Sequence, residues 1–243
     1  MTEAEWLVCE DSHKLCETVL EAEVTSRRKL RLLEVARCRD SWHLFSDERS
    51  RAVVTVVERY ADGLATHAEL SAARHAAWDA LAELRRAAEA ELEKAGGEEH
   101  PSVRDAFMRA GAAAIANIWS GFTFTGGAGL DLDMSGRGGW SDDRSFRLAH
   151  DVLKDAFALR SNLIRCIFGN PFRPVTFLPE WRTSTVVALV GQMYESRDFG
   201  AMPILGDALQ DAGCDSTDVL EHCRGPGPHV RGCWVVDLVL GKE

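Results

Sequence analysis

Thiolate and imidazole are the natural ligands of zinc, and five such side chains fall close together near the end of this chain: Cys214, His222, Cys223, His229 and Cys233. His229 and Cys233 are four apart, so on a helix they would share a face. Cys214 and Cys223 flank a short helix and could approach that face across the turn Gly225-Pro226-Gly227-Pro228. The spacing is not that of a standard finger, since the chain has no Cys-x-x-Cys pair. Two readings compete. In one, the cluster holds zinc, as a structural staple or as a hydrolytic centre with an open coordination position. In the other, the cysteines are small buried residues and His222 and His229 cap helices or lie at the surface. Ligand atoms that converge favour the first; separate apolar pockets favour the second.

A second group lies in the glycine-rich middle. Asp131-Leu132-Asp133-Met134-Ser135-Gly136 matches the opening of a calcium loop, with carboxylates at positions one and three, a hydroxyl at five and glycine at the sharp turn. Asp142 stands at position twelve, shorter than the usual bidentate Glu. Gly138 stands where an apolar residue normally pins the loop, and no clear helix enters from the N-terminal side. The competing reading is a solvated loop whose aspartates keep it wet.

Other chemistry is poorly supported. Gly126-Gly127-Ala128-Gly129 is followed by no Lys-Ser/Thr pair, so it is no P-loop, and the dinucleotide spacing is absent. No Gly-x-Ser-x-Gly elbow occurs. A triad assembled from Ser184, His150 and an aspartate is of a kind that any chain this long permits. Cys9, Cys16 and Cys38 have no ligand set nearby and read as small apolar residues. Arg27, Arg28, Lys29 and Arg31 form the one dense basic run. With Glu21, Glu23 and Glu34 close by, it reads as a solvated helix face. Seven tryptophans are available for cores or for binding hot spots, and Trp140, among glycines, is the one expected to be exposed.

The elements that must position these residues are helices. Thr2-Glu3-Ala4-Glu5 and Thr66-His67-Ala68-Glu69 are capping boxes. Asp11 or Ser12, Ser26, Ser46 with Asp47 and Glu48, and Thr183 supply further N-terminal signals. From residue 67 to Gly96-Gly97, Leu70, Ala73, Ala77, Leu81, Leu84, Ala88 and Leu92 step by three and four along one face. This is a packing helix whose alanines allow close helix–helix approach. Pro101 and Ser102 start an Ala-rich helix, periodicity is lost over 119–140, and a helix resumes near Ser141 and ends at Gly169. Phe122 and Phe124 leave room for a short strand. Pro171, Pro174 and Pro179 make residues 169–182 an extended connector. Later helices end at Gly213 and Gly225. The segment from His229 to Leu240 has strand-like propensity but no partner strand, so it is read as helix.

Composition sets the frame. The chain has 243 residues, enough to bury a core without a metal or disulfide. Its 38 acidic and 28 basic residues give a net charge of −10, which argues against general nucleic-acid binding and against charge-driven membrane binding. Seven scattered cysteines do not read as a secreted disulfide framework. Without an apolar leader or spanning run, the expectation is a soluble, cytoplasmic chain with no membrane association.

Two blocks resemble a family of bacterial proteins that occur as large paralogous sets and have no established activity. The first comprises MTEAEWLVC, KLRLLEVARC, WHLFSDERSRAV and ERYADGLAT. The second comprises FGNPFRPV, WRTSTVVALVGQMYESRDFGAMPILGDALQDAGCD and HCRGPGPHVRGCWVVDLVLGKE. They cover roughly residues 1–85 and 155–243. Some members of the family look fused to signalling or interaction modules. The resemblance implies a helical, adaptor-like protein and supplies no catalytic residue. The Gly-rich run here departs from the family's usual Ala-rich middle.

The expectation is therefore a mostly α, multi-helix protein in which two helical blocks pack together around a Gly-rich middle insertion. The blocks are 1–97 and 142–243, with a variable stretch at 98–141. The expected function is a non-enzymatic interaction or adaptor module with a protein partner. The alternative is a zinc protein, structural or hydrolytic, built on the Cys/His cluster.

Overall fold

The computed structural model describes residues 1–22, 26–98, 100–120 and 160–242. Among the described residues it is 72% helical, with eleven α-helices and no strand. They are α1 (Glu3–Val8), α2 (Ser12–Glu21), α3 (Arg27–Asp40), α4 (Glu48–Ala61), α5 (His67–Lys94), α6 (Pro101–Ser120), α7 (Ser161–Phe168), α8 (Ser184–Ser196), α9 (Met202–Asp211), α10 (Thr217–Arg224) and α11 (Trp234–Leu240). Short 3-10 turns occur at Trp42–Leu44 and Pro179–Trp181. No helix among the described residues is long and apolar enough to cross a membrane. The calcium-loop candidates Asp131, Asp133, Ser135 and Asp142, with Trp140, His150 and the strand considered at Phe122–Thr125, lie outside the described residues.

The caps form as local chemistry dictates. Thr2 and Thr66 each accept a backbone N–H from the glutamate three residues on, and Glu5 and Glu69 reach back to the cap N–H at 2.7 Å. Asp11, Asp47 and Thr183 cap α2, α4 and α8 through their side-chain oxygens. The α4 helix closes through Leu64 N–H, which donates to the Arg59 carbonyl at 2.8 Å around Gly63.

The chain divides into two compact units. One comprises Met1–Ala36 and Leu159–Glu243; the other comprises Arg37–Ala158. In the second unit, α5 packs on α4 and α6, and α4 also packs on α6. The facing surfaces are small: Ala77, Ala80 and Ala88 of α5 and Ala110, Ala113 and Ala114 of α6 are buried, with Leu81 between them. Alanine at such a contact costs no side-chain entropy and lets the backbones approach closely.

The first unit joins the two ends of the chain. Its core gathers Trp181, Val186, Val190, Met193, Leu205, Leu209, Val219, Val235, Val236 and Val239. Burying each of these large apolar side chains fully contributes about 1.5–3 kcal/mol. From the N-terminal segment, Trp6, Leu15 and Val19 are buried as well, and α2 packs on α7. Arg165, on the opposite side of α7 from its buried face, donates to the carbonyls of Trp6 and Cys9.

Two local expectations need correction. The segment from His229 to Leu240 is not one helix. Residues 229–233 form an irregular turn, and α11 begins only at Trp234, with Cys233 at its N-cap. Gly232, with φ +90°, takes a backbone conformation that a helix cannot contain. The basic run is also not simply a solvated face. The Arg28 side chain is only 11% exposed and is paired with Asp237, while Lys29 is partly buried and donates to the Ile167 carbonyl at 2.9 Å. Arg28 and Lys29 lie on the face of α3 turned towards α7 and α11, a partnership that local charge patterning does not reveal.

Candidate metal centre

Three segments of the first unit bring ligands to one point. Helix α7 is strongly amphipathic, burying Leu163, Ile164, Cys166, Ile167 and Phe168, so Cys166 is carried inward with its apolar neighbours. Helix α10 buries Val219 and Cys223 and places His222, one residue before Cys223, at the edge of the buried face. The Gly225–Pro228 turn, which contains a cis Gly227–Pro228 peptide, leads to His229. Cys233 follows Gly232 and opens α11. Its backbone N–H donates to the Val230 carbonyl at 2.9 Å, and its own carbonyl accepts from Asp237 N–H at 2.9 Å.

One ligand atom from each of Cys166, His222, His229 and Cys233 lies within 4.8 Å of all the others. Both cysteines are buried and both histidines are partly buried. His222 Nε2 lies 3.2 Å from Cys233 Sγ. The two imidazoles meet edge to face, with ring centroids 4.9 Å apart. The indole of Trp234 closes one side, 5.3 Å from the His222 ring.

The electrostatics favour a thiolate at Cys233. Burial alone would push its pKa up. Hydrogen bonding from the Cys166 thiol and His222, with the His229 ring close by, outweighs that cost and holds the group well below the ordinary thiol value. Cys166 moves the other way, because its proton is held in the hydrogen bond to Cys233 and because it is buried. His229 is the least satisfied member. Both of its ring nitrogens are buried, and neither has a hydrogen-bond partner of good geometry. Buried polar atoms left without partners are rare and costly, and a metal ion is one partner that an imidazole nitrogen can take.

The donor set fits a cation. A tetrahedral zinc with Zn–S near 2.3 Å and Zn–N near 2.0–2.1 Å separates its ligand atoms by about 3.3–3.8 Å. The ligand atoms of the present group all lie within 4.8 Å of one another, at most about 1 Å beyond the widest of those spacings. Two thiols and two imidazoles are a common structural zinc set. This Cys/His group could hold a metal ion.

No family model, no curated protein and no solved structure matches this chain.

Of the five ligands considered from sequence, the structure brings together His222, His229 and Cys233 and leaves Cys214 and Cys223 apart. Both of the latter are buried in the apolar core of the first unit. Cys223 packs against α9, where its Cβ would lie 3.1 Å from a side-chain carbon placed on Gly206. Burial pushes its thiol up to about 12 and also raises that of Cys214. These are packing cysteines. The fourth member, Cys166, was not singled out. It lies far from the others in sequence, and its own segment looks like an ordinary amphipathic helix. The one local hint is its place two residues before Phe168-Gly169, where the helix ends. His229 and Cys233 do converge, but through an irregular turn rather than by sharing a helical face.

Proposed function

We propose that this chain is a helical interaction module stapled by a structural zinc ion, with Cys166, His222, His229 and Cys233 as ligands. The observation that carries the reading is the convergence of these four side chains from three separate segments. Four protein ligands fill a tetrahedral shell, which favours a structural site over a hydrolytic one with an open position. Zinc there would tie α7, α10 and the 229–233 turn together, giving a rigid first unit. The adaptor part of the reading draws on the resemblance of two sequence blocks to a paralogous family, and it assigns the chain a protein partner.

The test is elemental mass spectrometry on full-length protein purified without a metal-affinity column. About one zinc per chain is expected. Cobalt exchanged into the same protein should give the intense visible bands of a tetrahedral thiolate site. Metal-free protein that takes up neither zinc nor cobalt would overturn the reading.

A further inference from the structure

A separate cavity opens behind the metal centre, and none of the four ligands lines it. It measures about 160 Å³ and lies between α3, α7, the connector after α7, and α11. Its walls are Phe168, Pro174, Val175, Trp234 and Leu238, and Lys29 is the cation set deepest in the fold around it.

The charges around the cavity are unequally engaged. Asp237 is held by two hydrogen bonds from Arg28, at 2.7 and 3.0 Å. Asp218 lies 3.7 Å from Arg173, which also pairs with Glu3 at 2.5 Å. Lys242 lies over the Tyr194 ring, 4.7 Å from its centroid. Lys29 has no carboxylate within ion-pairing distance among the described residues. Its ammonium carries three donors, and the Ile167 carbonyl takes one of them. Burial lowers its pKa, and the neighbouring Asp237 carboxylate opposes this. A partly buried ammonium that faces a cavity and gives only one of its donors to the protein is an anchor for an anion.

We infer that this cavity binds a small organic monoanion, a carboxylate carried on a compact apolar body, with Lys29 taking the carboxylate and Trp234 and Phe168 flanking the body. The lining sets three cationic side chains, Lys29, Arg173 and Lys242, against two carboxylates, Asp218 and Asp237, and this single excess positive charge suits a monoanion better than a dianion such as phosphate. The size also fits, since a cavity of roughly 150 Å³ accommodates a benzene ring. The inference stands independently of the zinc reading.

Benzoate and its neutral isostere benzamide are the probes, titrated into the full-length protein by calorimetry and by ¹⁵N nuclear magnetic resonance. Benzoate should bind saturably and at least about tenfold more tightly than benzamide. It should shift the Gly169 amide and the Trp234 indole resonances. Lys29→Met should weaken benzoate by about tenfold or more and leave benzamide unchanged. Equal binding of acid and amide overturns the inference, as does a shift pattern that avoids Gly169 and Trp234. The comparison in the unmutated protein decides the matter even if Lys29→Met fails to fold. Inorganic phosphate binding at the same resonances, in preference to benzoate, would also overturn it.

Discussion

Arg28 and Asp237 stand 209 positions apart in the chain and meet as a two-pronged ion pair. The same guanidinium donates to the Tyr194 hydroxyl oxygen at 2.8 Å. The carboxylate is only 2% exposed. Burial raises the pKa of Asp237, and the hydrogen bonds and charge of Arg28, with the charge of Lys29, hold it down in part. The pair joins α3 to α11 and, through Tyr194, to α8.

Breaking one side of a buried pair leaves a charge stranded in low dielectric. Arg28→Met should therefore cost about 3–5 kcal/mol in urea denaturation. The double variant with Asp237→Leu should regain most of that loss, because it strands no charge. The pH dependence has a definite sign. A carboxyl whose folded pKa lies above its unfolded value binds more protons when folded. Its contribution to stability then falls as pH rises from the ordinary value of 3.8 through the raised one. Without Arg28 that window widens, so the variant's deficit should shrink as the pH is lowered into it. A single-variant cost below about 1 kcal/mol would show that the pair is not structural.

Cys166 and Cys214 separate the geometric ligand set from the local sequence pattern. Cys166→Ser should abolish stoichiometric zinc and weaken affinity by far more than the 10–100-fold typical of losing an outer partner. Cys214→Ala should leave one zinc per chain and cost only core packing. The opposite pattern, with zinc lost from Cys214→Ala and kept in Cys166→Ser, would refute the assigned centre.

Gly232 tests how the chain turns into Cys233. At φ +90°, a methyl group there would meet Leu32 side-chain carbons at 3.0 Å. Gly63 has a similar φ of +71° with open space around it. Gly63→Ala should cost about 1–2 kcal/mol from backbone strain alone. Gly232→Ala should cost about 1–3 kcal/mol more, because overpacking adds to strain. Thermal denaturation of the two variants measures the difference, and equal losses would show that Leu32 moves aside freely.

Asp47 caps α4 and accepts from Arg49 through both the side chain and the backbone. The Arg49 side-chain hydrogen bonds, helped by its backbone N–H and charge, hold this carboxyl below its ordinary value of 3.8 despite some burial. A depressed folded pKa contributes stability above 3.8 and loses it as pH falls through the folded value. Asp47→Ala should cost about 1 kcal/mol at neutral pH. Asp47→Asn keeps the cap oxygen but lacks the charge. Its deficit should be present at pH 7 and disappear in melts taken below the depressed pKa. A deficit independent of pH would exclude the charge as its source.

Much of the local structure was legible in the residues. The capping boxes at Thr2 and Thr66, the caps at Asp11, Asp47 and Thr183 and the stripe from Leu70 to Leu92 each depend on atoms three or four residues apart. Such contacts form wherever the chain is helical, so sequence alone determined the helices and the all-α class. Three of the four members of the Cys/His group were visible for a related reason: His222, His229 and Cys233 lie close together in the chain.

The rest required the folded unit. Cys166 reaches the other three because α7 buries its apolar face in the core that α10 and α11 complete. The same core buries Cys166, Cys214, Cys223 and Cys233, and Cys214 and Cys223 fall outside the group because their segments do not carry their sulfurs to the point where Cys166, His222, His229 and Cys233 converge. The basic run at Arg28 and Lys29 looks solvated when only its helical neighbours are counted, yet its partners Asp237 and Ile167 arrive from the far end of the chain. Local spacing encodes interactions whose loop-closure cost is small. Contacts across a hundred or more residues are chosen by which apolar faces bury one another, and that choice placed the Cys/His group and the cavity beside Lys29 and Trp234.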